Sequence, residues 1–375
     1  MDARAPPVDQ RALGLGRTGR GAMPHALQRG AAEGLSHGIG QPQQAQHLRG
    51  HQMHVGDLVG IDQRQRLRMQ LAVQGSGPLV LLCHGFPELW FSWRAQLGAL
   101  AAAGYRAVAP DMRGYGGTTA PDDGTAYTQL HLVGDMVELV RSLEETQAVI
   151  VGHDWGAPVA WNAALLRPDV FRAVVGMSVP FTPPGRVEML SALSQAGISN
   201  FYLQYFQTPG LAEAELGRDV DATIRRVHFG ASGEGQALLK RPVFGAIDGD
   251  KGFLGHLIEP PGLPNWWNEA DMAQYVAEFK RTGFRGGLNW YRNITRSWEL
   301  LAPWRGQVIR QPSLFIAGAS DDVLKFPNSR PQIDNFGKTL PGLHGCHILE
   351  GAGHWIQRER AHAVNALLID FLKAL

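Results

Sequence analysis

Asp154 is the residue in this chain best set up for covalent chemistry. It lies in Val149-Ile150-Val151-Gly152-His153-Asp154-Trp155-Gly156-Ala157-Pro158, where a β-branched run meets a segment of helical composition. Small residues on both sides of a functional side chain are what a sharp strand-to-helix turn demands, because only they let the backbone pass. The frame is that of a nucleophile elbow, G-x-S-x-G, with Asp in the serine's place. A serine attacks acyl carbons. A carboxylate is better suited to displacement at an alkyl carbon, leaving an ester that water can open. Taken alone, the segment also fits a buried Asp satisfied by turn amides.

The rest of the chain weighs between these readings. A nucleophile of this kind needs a base and an orienter, following it in the order acid, then His, each on a loop after a strand. Ser313 to Ala317 runs into Gly318-Ala319-Ser320-Asp321-Asp322, and Ile348-Leu349-Glu350 runs into Gly351-Ala352-Gly353-His354-Trp355. A lone His after a strand is more often structural than catalytic. Small residues before His354, and its place behind an elbow and an acid, reverse that. Asp321 and Asp322 compete for the acid role, and spacing does not separate them.

The chain has 375 residues, 44% hydrophobic and 18% charged, which fits a globular protein with a sizeable core. A formal net charge of +1 gives no electrostatic case for nucleic acid or an anionic membrane. No apolar run is long enough to cross a bilayer. Cys83 and Cys346 make no disulfide framework, so a reducing, cytoplasmic location is expected.

Arg66 to Val73 alternates as a half-buried strand, and Leu79 to Cys83 is an apolar run suited to a central parallel strand. The latter ends in His84-Gly85-Phe86-Pro87-Glu88, a loop at the carboxyl end of a strand, where open α/β sheets bind ligands. A helix over Ser92 to Ala103, a strand over Tyr105 to Pro110 and the loop Asp111 to Gly117 follow. Then come a helix over Leu130 to Leu143, the elbow strand Ala148 to Val151, its helix Ala157 to Leu166 and a strand over Ala173 to Val179. This alternation predicts an α/β fold: a mostly parallel central sheet with helices on both faces. Between about 182 and 304 it stops. That stretch reads as mainly helical, too long for a loop, and is expected to be an inserted helical cap domain. Buried strands resume at Ser313 to Ala317 and Cys346 to Leu349, and Ala361 to Leu372 reads as a closing amphipathic helix. The expected core domain is thus 65–181 with 305–375. Residues 1 to about 64 are patternless, rich in Gly, Gln, Arg and His, and are expected to be a disordered extension or the product of a mis-set start.

The chain resembles the epoxide hydrolases of the α/β-hydrolase fold over residues of about 65 to 375. The matching motifs are HGFPE (His84 to Glu88), DMRGYGG (Asp111 to Gly117), GHDWG (Gly152 to Gly156) and GAGHW (Gly351 to Trp355). Related dehalogenases share these four. FYLQYFQ (Phe201 to Gln207) and NWYRN (Asn289 to Asn293), in the cap, are more specific. The resemblance implies Asp154 as nucleophile, His354 as base and Asp321 as acid, since the family's acid is followed by x-V-L, here Asp322-Val323-Leu324. Tyr202 and Tyr291 match the two cap tyrosines, with Tyr205 a weaker match to the first. The amides of Phe86 and Trp155 would form the oxyanion hole, and Phe86, Trp155, Tyr202 and Tyr291 would meet substrate. The implied reaction takes a small apolar epoxide and water to a vicinal diol, with no metal or organic cofactor. A homodimer is admitted as the assembly.

The nearest rival is a haloalkane dehalogenase with the same elbow. Halide leaves without a proton, so that site wants N–H donors rather than acidic hydroxyls. Such enzymes often carry Asn after the HG pair, where this chain has Phe86. Fluoroacetate dehalogenases carry Arg after the nucleophile, where this chain has Trp155. A serine esterase fits poorly, since the chain's G-x-S-x-G, Gly34 to Gly38, has no strand before it. A hydrolase relic that binds a small molecule without turnover is the rival from another class. His84, His153, Glu88, Arg113, Asp111 and Gly114 are expected to hold loops, and Trp266, Trp267, Trp298 and Trp304 to build the cap core.

Overall fold

A computed structural model of the chain describes residues 53–59, 67–239 and 241–375. Among the described residues eight strands form one sheet: β1 (His54–Val59), β2 (Arg68–Gln74), β3 (Leu79–Cys83), β4 (Arg106–Pro110), β5 (Ala148–His153), β6 (Phe171–Met177), β7 (Ser313–Gly318) and β8 (Leu343–Leu349). Their order is β1-β2-β4-β3-β5-β6-β7-β8. The pairs β1/β2 and β2/β4 are antiparallel, and all others are parallel.

The side-chain period of two divides the core. Leu79, Leu81 and Ile150 point into one apolar layer with Leu132 and Met136 of α2 (Gln129–Ser142) and Val159 of α3 (Gly156–Leu166), beyond α1 (Arg94–Ala102) in the chain. Val80, Leu82, Val149 and Val151 point into the other, with Leu97 and Leu100 of α1 and, at the chain's end, Val364, Leu368 and Phe371. A strand covered on both faces must be apolar at every position, which is why β3 and β5 read as unbroken runs.

Between β6 and β7 lie α4 (Met189–Gln195), α5 (Tyr202–Tyr205), α6 (Leu211–Arg218), α7 (Val220–Ala231), α8 (Gly233–Leu238), α9 (Glu269–Thr282), α10 (Arg285–Arg292) and α11 (Ile294–Leu300). From Leu239 to Asn268 the described residues hold short 3-10 turns, at Gly249–Lys251 and Leu254–His256, and a bridge between Ala246 and Phe201. Pro242, Pro260, Pro261 and Pro264 remove the amide hydrogens a helix would need there. After β7 come α12 (Ser329–Asp334), α13 (Phe336–Thr339), α14 (Ile356–Glu359) and α15 (Ala361–Lys373). Among the described residues no helix is long and apolar enough to cross a membrane.

Three sequence readings need correction. His54–Val59 fell in the expected extension, yet its backbone pairs with β2 from His54↔Val73 to Val59↔Arg68. An edge strand needs only a neighbour's open ladder of N–H and C=O groups, so it can form without alternation of its own. Residues 1–52 and 60–64 of that expected extension lie outside the described residues. The Cys346 to Leu349 strand is longer and half exposed, because β8 ends the sheet and has β7 as its one partner. The helix expected from Ser92 begins as a 3-10 turn at Trp90–Trp93.

A buried ion pair anchors the loop after β4. Arg113 donates from Nε and Nη2 to Asp135 of α2 at 2.8 and 2.6 Å and from Nη1 to the Ala126 carbonyl at 3.1 Å. Its own carbonyl accepts the Trp290 indole N–H at 3.0 Å, tying this loop to α10. Arg113→Met would take the guanidinium away from the buried Asp135 carboxylate and from the Ala126 carbonyl, so urea melts should show a loss of about 3–5 kcal/mol.

Candidate active site

The sheet reverses its winding between β3 and β5, and their carboxyl ends define a crevice there. The β3 loop brings Gly85 and Phe86 to it, and the β5 turn brings Asp154. Asp154 adopts φ +50°, a left-handed conformation that costs roughly 1–3 kcal/mol and persists only when its surroundings impose it. A Cβ on Gly152 would lie 1.9 Å from the Gly156 carbonyl oxygen, and one on Gly156 would lie 2.1 Å from that of Cys83. A Cβ on Gly85 would lie 2.1 Å from Asp154 Oδ1. The turn closes because none of these atoms exists.

The Phe86 N–H donates to Asp154 Oδ1 at 2.7 Å. Asp154 Oδ2 stands 3.4 Å from His354 Nε2, an ion-pair separation too long for a good hydrogen bond. Trp155 caps α3, where amide hydrogens have no partner within the helix. On the far side of the imidazole, Nδ1–H donates to Asp321 Oδ1 at 3.0 Å. Asp321 is fully buried, and its Oδ1 also accepts the Val323 N–H at 3.0 Å. Asp322 turns elsewhere, accepting from Gln236 Nε2 at 2.9 Å and the Val243 N–H at 2.7 Å and pairing with Lys325 at 3.0 Å. Geometry therefore separates two carboxylates that spacing does not.

Burial opposes charge on His354, yet the carboxylates of Asp321 and Asp154 hold its pKa well above the usual histidine range. Burial would raise the Asp321 carboxyl, but the His354 charge and the hydrogen bonds it accepts keep it below the usual range. The imidazolium is thus the favoured form while both carboxylates are ionised.

Tyr202 opens α5 and Tyr291 lies in α10, both buried. Their rings meet at 6.1 Å between centroids, and Tyr291 stands edge-on to Trp155 at 4.9 Å and to Phe86 at 5.5 Å. Burial first, and then the Asp154 carboxylate, raise both phenols well above their ordinary value. Both therefore stay protonated and able to donate. Gln207 Nε2 donates to the carbonyls of Leu203 at 2.8 Å and Tyr291 at 3.1 Å, lacing the two segments together. Tyr205 is committed to Glu215 at 2.7 Å.

Three supporting residues escaped sequence reasoning. Ser178, at φ +71° just past β6, donates from Oγ to Asp321 Oδ2 at 2.6 Å and lies 2.9 Å from His354 Nδ1. Its place at a strand's carboxyl end, beside the strands bearing Asp154 and Asp321, was the available clue. Glu359 accepts the N–H groups of Gly353, Trp355 and Gly233 at 3.0, 3.0 and 2.8 Å, clamping the His354 loop. Gln357 reaches Glu88 at 3.1 Å, and Glu88 in turn binds His153 Nδ1 at 2.8 Å. His153 meets the His354 carbonyl through Nε2 at 2.7 Å, so it and Glu88 brace the His loop as well as their own. Among the described residues no group of three or more His, Cys, Asp or Glu could hold a metal ion.

Residues 78–361 match the family model described as alpha/beta hydrolase fold. The chain belongs to that family. It is 45% identical over 312 residues to epoxide hydrolase A of Mycobacterium tuberculosis, covering 83% of this chain and 95% of that one. Epoxide hydrolase 1 of Siraitia grosvenorii is 42% identical, with 82% and 95% covered. Among solved structures, an epoxide hydrolase from an endophytic Streptomyces superposes with a TM-score of 0.80 at 45% identity, over 87% of this chain and 96% of that one. Within the fold family, this chain is a member of the epoxide hydrolases.

The charged His354 has a pH consequence. Its folded pKa stands above the unfolded value of about 6.5, so its stabilisation is complete below that pH and is lost as pH climbs through the raised value. Asp321, shifted the other way, contributes above its unfolded value and loses that contribution as pH falls through its depressed one. Between pH 6 and 10, denaturant melts should show a greater loss for the wild type than for His354→Gln. Equal losses would remove the imidazolium from the account.

Proposed function

We propose that Asp154 is the nucleophile of this epoxide hydrolase, His354 its base, Asp321 the orienting acid, and Tyr202 and Tyr291 the proton donors. The observation that carries this reading is the asymmetry of the Asp154 carboxylate. Oδ1 already accepts the Phe86 amide at 2.7 Å, while Oδ2 has only the distant His354 Nε2 before it. Oδ2 attacks a ring carbon as the carbon–oxygen bond of the epoxide breaks. The departing alkoxide takes a proton from a tyrosine hydroxyl, which a strained ether needs and a halide would not.

Esterification removes the charge on Asp154, with two effects. The tyrosines lose a repulsion that raised their pKa, so they give up a proton more readily when one is required. His354 loses one of its two carboxylates, so its pKa falls; its Nε2 proton passes to the tyrosinate left by ring opening, and Nε2 becomes a base. It takes a proton from water, the hydroxide attacks Asp154 Cγ, and negative charge grows on Oδ1. The Phe86 and Trp155 amides receive that charge. Collapse expels the diol with the former Oδ2, which takes its proton from the water-derived hydroxyl on Cγ; the water oxygen stays in the restored carboxylate, and His354 is again the imidazolium of the resting site.

Phe206 stands 5.0 Å from Tyr291, and Phe244 stands 5.0 Å from His354, ring to ring, which supports a small apolar epoxide as the substrate. We divide the chain functionally at about 182 and 304, the intervening helices acting as a cap over the sheet domain. Free Cys83 and Cys346 suit the cytoplasm.

A single turnover of styrene oxide in ¹⁸O-labelled water tests the ester. The first diol should be unlabelled, and Asp154→Asn should form none; label in that first diol would sink the covalent step. Replacing both tyrosines with Phe should slow alkylation by about 10²–10⁴. Ser178→Ala, which removes one donor to Asp321, should slow ester hydrolysis about tenfold, on the scale of one charge-assisted hydrogen bond, and shift the pH profile of that step.

A further inference from the structure

None of these steps uses Arg358, four residues beyond His354 in α14. Its side chain is buried, and its Nε, Nη1 and Nη2 have no hydrogen-bond partner. The guanidinium carbon lies 4.7 Å from the ring centroid of Trp266, 4.8 Å from that of Trp267 and 5.2 Å from that of Tyr275. The Trp267 indole N–H is also buried without a partner. Against Trp267, at 4.6 Å between centroids, packs His228, whose Nδ1 donates to the Ile224 carbonyl at 3.0 Å. Burial, then the Arg358 charge, lowers His228 to about 3, so it adds no second cation.

The carboxylates of Glu88 and Asp271 act on this guanidinium from a distance, but neither is in contact with it. The Glu88 oxygens are taken by His153 and Gln357, and Asp271 is paired with Arg94. Among the described residues none lies within ion-pair distance of Arg358. Ring faces attract the charge, but they leave N–H groups in the guanidinium plane without acceptors. An isolated buried charge of this kind is rare unless something pairs with it.

We propose that the Arg358 guanidinium and the Trp267 indole N–H form a buried site for a small monovalent inorganic anion of the chloride and bromide class. A buried cation whose N–H groups meet no acceptor calls for a negative charge in contact with it. Enclosure by three aromatic rings favours a compact ion over an organic carboxylate, and water would leave the charge in place. Tyr275 belongs to α9, Trp267 to the turn before it and Arg358 to the segment that carries His354. A bound anion would therefore fasten the helical insertion to the triad loop.

The test compares thermal unfolding of the full chain in sodium chloride and in sodium gluconate at equal ionic strength. The wild type should gain about 2 °C or more in Tm, saturably, with chloride. Trp267→Phe keeps the ring and loses the donor, so its chloride midpoint should rise about tenfold. Arg358→Met should lose the saturable response. Crystals soaked in bromide should show an anomalous peak in contact with the guanidinium and the Trp267 indole nitrogen. The proposal is overturned by a wild type indifferent to the choice of anion, by a midpoint that Trp267→Phe leaves in place, or by ordered water where bromide is expected. Turnover enters none of these readouts, so they stand apart from the proposed mechanism.

Discussion

The site depends on a close passage of backbones around Asp154. Gly85, Gly152 and Gly156 each lie where a Cβ would strike a carbonyl or the Asp154 carboxylate itself, at 2.1, 1.9 and 2.1 Å. With those atoms absent, a carboxylate in strained left-handed backbone reaches the Phe86 amide at the end of the sheet. The strands behind it are apolar on both faces and packed on both sides, so the strain cannot relax by moving them. Rigid scaffolding and local strain are two aspects of one arrangement.

From that placement follows an electrostatic sequence. One imidazole sits between two carboxylates, one permanent in Asp321 and one that the proposed chemistry removes and restores in Asp154. The same group need not be both a stable cation and a good base at one moment. Its environment changes when the ester forms and changes back when the ester opens. Ser178, Asp321 and His354 close a small ring of hydrogen bonds, so the imidazole has little freedom to turn while its charge changes.

The helical insertion completes the site from the opposite side. Its tyrosines belong to segments well separated in sequence, laced by Gln207 and by the Arg292–Glu213 pair at 2.6 Å. The insertion also grips the His loop directly. The His354 N–H donates to the Ala231 carbonyl at 2.8 Å, and the Trp355 indole donates to the His228 carbonyl at 2.7 Å. The two tyrosines and His354 are therefore registered against each other through shared backbone contacts.

Much of this was legible in the sequence because it is written locally. Unbroken apolar runs specify doubly covered strands, and small residues around Asp154 and before His354 specify tight turns at strand ends. The alternation of periods two and 3.6 specifies the layered sheet. What the sequence left open involves partners distant along the chain. Asp321 and Asp322 are adjacent and chemically identical, and only the direction each takes from β7 decides which meets His354. Ser178 and Glu359 carry no local pattern, since their roles exist only once β6, β7 and the insertion have packed. β1 forms because β2 offers an open edge. The sequence by itself determined most of the elements and the turns that carry Asp154 and His354, because short-range sterics and periodicity encode them. Tertiary structure alone decided which polar group meets which, because hydrogen bonds and charges act over a few ångströms in space, whatever their separation in the chain.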